Sequence, residues 1–223
     1  SSSQLTAVIP ASDIAAAGTA MITVVSPSPG GGVSSPLSFA INIPLPVLEA
    51  INPASAVAGG QGFTLTVAGS GFLAGSVVRW NGTDRPTTFV SSTQLAAEIS
   101  STDIATGALA NVTVFNPAPG GGTSAAKTFT VNNPAPVTTR VIPSTVDAGS
   151  GGFVMTVEGS GFVANSTVLW RGSSRVTTFV SPTRLTATIP DADVASGGTF
   201  LVTVLNPAPG GGTSNSQTVT VVN

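Results

Sequence analysis

The chain has 223 residues, of which 41% are hydrophobic, 5% aromatic and only 7% charged, and its formal charge is −2. A globular domain ordinarily carries about 25% charged residues, so this surface stays wet through hydroxyls, amides and backbone, while the apolar content excludes a highly charged disordered chain. Seven basic against nine acidic residues argue against a nucleic-acid partner, which needs a basic stripe, and the lack of Cys and His removes disulfides, thiolate chemistry and zinc sites of the Cys/His kind.

A shift of 90 positions lays the chain on itself without a gap. Gly69-Ser70-Gly71-Phe72 meets Gly159-Ser160-Gly161-Phe162, Trp80 meets Trp170, and residues 116–122 recur letter for letter at 206–212. Gln4-Leu5-Thr6 falls on Gln94-Leu95-Ala96, and residues 27–32 on 117–122. Self-similarity of this length marks a repeat architecture. Residues 1–43 are therefore expected to be the C-terminal half of a first repeat, with 47–133 and 137–223 complete copies. A domain does not ordinarily begin halfway through its own sandwich. Either the chain was cut from a longer protein or another molecule supplies the absent strands. The complete last copy, with no spare half to donate, favours the first.

In chain order, the half repeat carries Asp13, equivalent to Asp103 and Asp193, and leads into the linker Pro44-Leu45-Pro46. The first complete copy predicts strands at 47–51, 63–68, 76–80, 86–90, 94–99, 110–115 and 127–131, short alternating segments between turn residues that mark an all-β sandwich. Alternation sorts the faces. Phe63, Leu65 and Val67 point to the core, as do Leu95, Ala97 and Ile99, and Val112 and Val114; Thr64, Thr66 and Thr113 point to water. Trp80 shares the face of Val78 and is expected in the core. Asn81-Gly82 is a strong hairpin signal, with Arg171-Gly172 a weaker counterpart. Residues 102–105 predict one helical turn capped by Asp103, a better use of the recurring aspartates than calcium, which wants about 6–8 oxygens. The Pro-Gly-Gly-Gly stretches predict flexible hairpin tips. The second linker, Pro134-Ala135-Pro136, repeats the alternating prolines of an extended, stiff path. Arg85 and Arg175 recur as candidates for an ion pair or a strut to backbone carbonyls.

The order Ile51-x-Pro53, Gly59-Gly60, Gly69-Ser70-Gly71-Phe72, Val77-x-x-Trp80-x-Gly82 and the late Ile189-Pro190 pair resembles the IPT/TIG domain. The resemblance implies tandem immunoglobulin-like β-sandwiches joined by short Pro-rich linkers, as in plexin-type receptors, polysaccharide enzymes and large bacterial surface proteins. Ile99-Ser100 departs from the Ile-Pro pattern.

No catalytic, cofactor-binding or metal-ligating residue is expected. His is absent as a base, and paired carboxylates do not recur: Glu98 becomes Thr188, and Glu158 replaces Ala68. Val25, Phe115 and Leu205 are equivalent apolar residues on the wet face, joined there by Met21 and Leu201; they are candidate assembly contacts, or else pack locally under the proline-glycine hairpin. No run of about 20 apolar residues predicts a membrane span. The expected function is an extracellular or cell-surface structural repeat protein, not an enzyme, forming a rigid rod or filament by self-association or through neighbouring repeats. The alternative is an adhesin or carbohydrate-binding accessory module with a surface glycan or protein ligand.

Overall fold

A computed structural model describes residues 3–223. The chain forms two compact units. One holds Ser1–Asn52, Thr64–Glu98 and Asn111–Lys127; the other holds Pro53–Phe63, Ile99–Ala110 and Thr128–Asn223. Among the described residues no helix is long and apolar enough to cross a membrane.

In the first unit, the half repeat opens with a 3-10 turn at Ala11–Ile14 and forms β1 (Gly18–Ile22), β2 (Val25–Ser26), β3 (Gly32–Val33) and β4 (Leu37–Ile41). Strands β1 and β4 pair antiparallel, Ala20 opposite Phe39, while β2 and β3 close the proline-glycine hairpin. The middle copy comprises β5 (Val47–Asn52), β6 (Ser55–Val57), β7 (Phe63–Ser70), β8 (Val77–Trp80), β9 (Thr83–Asp84), β10 (Thr87–Ser91), β11 (Gln94–Ile99), β12 (Ala108–Asn116), β13 (Gly122–Thr123) and β14 (Lys127–Asn132). The first unit takes one sheet in the order β10-β11-β7-β5, and pairs β12 with β8 and β13. In the second unit β6 runs parallel to β14, Ala56 opposite Val131, and the rings of Phe63 and Phe129 stack at 5.6 Å.

The third copy lies whole in the second unit. Its strands are β15 (Val137–Ile142), β16 (Thr145–Asp147), β17 (Phe153–Ser160), β18 (Thr167–Trp170), β19 (Ser173–Ser174), β20 (Thr177–Ser181), β21 (Arg184–Ile189), β22 (Gly198–Asn206), β23 (Gly212–Thr213) and β24 (Gln217–Val222). One sheet runs β15-β17-β21-β20; the other runs β16-β24-β22-β18-β19, with β23 against β22. Alternating residues from both sheets fill the space between them: Met155, Val157, Leu185 and Ile189 from one, Val168, Trp170, Val202, Val204, Val219 and Val221 from the other. At about 25 cal/mol per Å2 of apolar surface removed from water, this burial is the main favourable term for the sandwich.

The alternation and the structure agree on the core: Leu65, Val67, Leu95, Ala97, Val112 and Val114 are fully buried, and both tryptophans are buried. Trp170 packs against Phe200 at 5.4 Å, while its indole N–H has no partner among the described residues. Two sheets without a disulfide are also joined through a hydroxyl. Thr177 Oγ1, on β20 of one sheet, accepts the amide of Val168 on β18 of the other (2.9 Å) and donates to Arg175 O (2.8 Å). Thr87 repeats both contacts with Val78 and Arg85. The hairpin dipeptides adopt positive φ at both positions, Asn81 at 50° and Gly82 at 82°, Arg171 at 52° and Gly172 at 81°, as a tight two-residue hairpin turn requires.

Candidate functional site, an asparagine clasp on the linker

Val112, Val114 and Asn116 share one face of β12, and Val202, Val204 and Asn206 one face of β22. The last residue of each trio is a polar side chain in core phase, and both asparagines are buried. Burying a carboxamide without partners costs several kcal/mol, so the bonds it makes decide its role. Asn116 Oδ1 accepts the Ser76 hydroxyl at 2.6 Å, and Ser76 Oγ in turn accepts the Leu73 amide. Asn116 Nδ2 donates to Gly71 O at 2.8 Å and to Pro44 O at 3.2 Å. Carbonyls only accept, which fixes the orientation of the amide. The third copy repeats the set with Ser166 (2.5 Å), Gly161 O (2.6 Å) and Pro134 O (2.9 Å). Each asparagine therefore joins the turn at the Gly-Ser-Gly-Phe motif, the end of its own strand and the linker that enters its copy.

The glycine tips complete the grip. Ile43 N donates to Pro119 O and accepts Gly121 N–H through its own carbonyl, at 2.9 and 2.6 Å. Asn133 does the same with Pro209 and Gly211, at 2.7 and 2.8 Å, and adds a bond from its side chain to Pro207 O. These exchanges form short parallel bridges, Ile43 to Gly120 and Asn133 to Gly210. Gly120 (φ 72°) and Gly210 (φ 67°) have no room for a side chain: a Cβ would lie 2.6 Å from Asn42 Cβ or 2.7 Å from Asn132 Cβ. The tips expected to be flexible are instead pinned by the linker. Backbone freedom permits the turn, and the absent Cβ lets the linker come close enough to hydrogen-bond. Ala118-Pro119 and Ala208-Pro209 within these tips are cis.

The other candidate residues fall elsewhere. Val25 is exposed beside Val33, and Leu205 is partly exposed beside Thr213. Phe115 faces outward as its parity requires, but the Arg79 guanidinium lies over its ring at 3.9 Å, a cation-π contact that shields it. Residues 101–104 form a turn and not the expected helical one, and Asp103 reaches back instead of capping a helix, its Oδ2 accepting the Ser100 amide and hydroxyl at 3.0 and 2.8 Å. Asp193 does not. Pro190 stands where Ser100 stood and offers no N–H, and Asp193 instead takes Arg175 in a two-pronged pair, Nε to Oδ2 at 2.5 Å and Nη2 to Oδ1 at 2.7 Å. Arg85 and Arg175 also brace backbone carbonyls through Nη1. On the exposed face of β15 and β17, Arg140 donates to Glu158 at 2.6 Å. That hydrogen bond holds the Glu158 carboxyl below its usual range and the Arg140 guanidinium above its own. A cavity of about 460 Å3 flanks the second linker, lined by Gly59, Gly107, Asn133, Pro134, Phe162 and Asn165 among others; Phe162 itself is buried.

Paired sheets, inward tryptophan and clasped linker define tandem immunoglobulin-like sandwiches. The IPT/TIG domain model matches residues 46–131 and 136–221. The chain belongs to the IPT/TIG domain family. No curated protein matches it. Among solved structures it is similar to the adhesin InvE of Yersinia pseudotuberculosis, at 14% identity and a TM-score of 0.51, over 79% of this chain and 58% of that one. It is also similar to the plexin A4 extracellular region, at 16% identity and a TM-score of 0.35, over 79% of this chain and 18% of that one. A Bacteroides ovatus mixed-linkage glucan utilization locus protein, SGBP-B, in complex with a mixed-linkage heptasaccharide matches at 19% identity and a TM-score of 0.30, over 92% and 54% of the two chains. The chain spans less than two thirds of the length of each.

Proposed function

We propose that the chain is a structural, non-catalytic segment of an extracellular or cell-surface protein, in which tandem sandwiches add length to a stiff rod or filament. The clasp carries this reading. A linker free to swivel would need no buried asparagine and no glycine tip shaped to its backbone, yet both linkers are held by the same bonds to Asn116 and Asn206. Every polar group of that carboxamide is used, so a change of linker path leaves buried groups unpaired, at about 1–3 kcal/mol each. The same bonds recur at each linker of a gapless repeat, which is what a regular rod needs. Low charge and the open side chains of Val25 and Leu205 suit lateral association between such rods.

An adhesin or carbohydrate-binding role is the alternative. Its place would be the cavity beside Asn133, which offers small residues and a buried phenylalanine. Small-angle X-ray scattering tests the rod. The chain is expected to scatter as an extended particle with a well-defined maximum dimension, and the Asn116→Ala/Asn206→Ala variant as a broader distribution. A compact, folded-over wild-type particle would sink the rod.

A further inference from the structure

The sheets β10-β11-β7-β5 and β15-β17-β21-β20 share one strand order but differ on their outward faces. In the third copy Val154 faces Thr188, and the Thr188 amide donates to Val176 O at 2.9 Å, so these three residues form one row across three strands. The next row runs Ile142, Thr156, Thr186, Thr178. Ile142, Val154 and Val176 are 45%, 62% and 77% exposed. A charged row follows. Glu158 faces Arg140 on one side, bonded at 2.6 Å, and Arg184 on the other. Apolar side chains thus alternate with threonines beside a row of charge.

Ninety positions earlier the same places read differently. Asn52, Thr64 and Pro86 stand for the three apolar residues, and Ala50, Ala68 and Gln94 for the charged row. Ala50 and Ala68 lie opposite each other, which leaves a low floor between β5 and β7. The charge on this face is of one sign. Strands β5, β7, β10 and β11 contain no Lys or Arg, while Glu49 and Glu98 are exposed on them. The Thr64 hydroxyl donates to Glu98 Oε1 at 2.8 Å and keeps that carboxylate over the sheet.

An exposed apolar patch rimmed by polar residues marks a contact surface, and charge selects what covers it. Two third-copy faces would bring four arginines to two carboxylates, and two middle-copy faces would set four carboxylates against no cation. A third-copy face on a middle-copy face brings two arginines to three carboxylates, the closest balance of the three pairings. We propose that the third copy docks this face on the outward face of the middle copy of a second molecule. Val154, Val176 and Ile142 then cover its short side chains, with Arg140 and Arg184 beside Glu49 and Glu98 of that molecule. This contact rests on the associating rod proposed above and gives it its surfaces. Burial of the apolar row supplies attraction, and the charges set partner and register. Because the two faces differ, the contact is heterologous, and each pair leaves one face of each kind open to a further molecule.

Sedimentation velocity of the full 223-residue chain over a range of concentrations tests the pairing. The wild type is expected to gain apparent mass with concentration, and to gain less at about 1 M salt, where the screening length is about 3 Å. Val154→Lys/Val176→Lys closes the third-copy face, and Glu49→Lys/Glu98→Lys closes the middle-copy face. Each variant alone should associate about tenfold or more weakly than the wild type. Mixed in equal amounts, they should form a dimer and stop there, since the intact third-copy face of one meets the intact middle-copy face of the other. Misfolded variants could not recover in this way. A mixture that stays monomeric, or a glutamate variant that self-associates as the wild type does, would overturn the proposal. So would a wild type monomeric at every concentration. Such a monomer that still scatters as an extended particle would remove this contact and leave the rod standing, whereas a compact one would remove both.

Discussion

The hairpin at residues 26–32 and its counterparts at 116–122 and 206–212 share the run Pro-x-Pro-Gly-Gly-Gly, yet they serve different ends. At 116–122 and 206–212 a buried asparagine leads the run and the first glycine lies against the incoming linker. At 26–32 the leading residue is an exposed Ser26, and a Cβ on Gly30 would meet nothing within 4 Å. Both Gly30 and Gly210 have positive φ, at 84° and 67°. The glycine tip, then, is not a flexible element by composition. It becomes a fitted surface where a linker passes, as at 116–122 and 206–212.

The largest expected effect comes from removing the residue that separates the two kinds of hairpin. Asn206→Ala leaves the Ser166 hydroxyl and the Gly161 and Pro134 carbonyls without their partner, and should cost about 2–4 kcal/mol in urea unfolding. Ser26→Ala, at the equivalent but exposed position, should change stability by about 0.5 kcal/mol or less. Equal losses at the two sites would break the comparison. A smaller contrast lies at the tips. Gly210→Ala meets a left-handed backbone and Asn132 Cβ at 2.7 Å, and should lose about 2–3 kcal/mol with faster exchange at the Asn133 and Gly211 amides. Gly30→Ala should lose about 1 kcal/mol, the backbone term alone.

The smallest effect sharpens a difference between the complete copies. Asn81 occupies its positive φ with a side chain that also accepts the Asn111 amide at 2.8 Å. Arg171 holds the same backbone angle without that bond, its guanidinium 5.4 Å over the Phe200 ring. Arg171→Asn should raise the melting temperature of the third copy, by about 0.5–1 kcal/mol of stability. A lower melting temperature would show that the contact with Phe200 outweighs the strain.

Much of the sandwich was legible because alternation is a local property: Leu65 and Val67, or Val112 and Val114, declare their face within a few residues. What escaped depends on partners distant in sequence. Strand β6 is three residues long and pairs parallel with β14, about 75 positions away, with no turn to announce it. Asp193 has the letter of Asp103 but loses its amide partner because proline replaces a donor three residues earlier, and Arg175 then takes it. Phe115 was placed outward correctly, yet its cover comes from Arg79 on the neighbouring strand. The clasp left one sign. Asn116 and Asn206 fall in step with core valines, and a polar residue in core phase must find partners inside.

The hydroxyl strut between the sheets has a consequence for how the protein matures. Thr177 links β20 of one sheet to β18 of the other through Val168 and Arg175, whereas many sandwiches join their two sheets by a covalent sulfur bridge. A strut made of one threonine forms as the chain folds, asks for no oxidant or isomerase, and survives reducing and oxidising surroundings alike. These 223 residues include no cysteine, so the similar copies carry no thiols that could mispair between them as they fold.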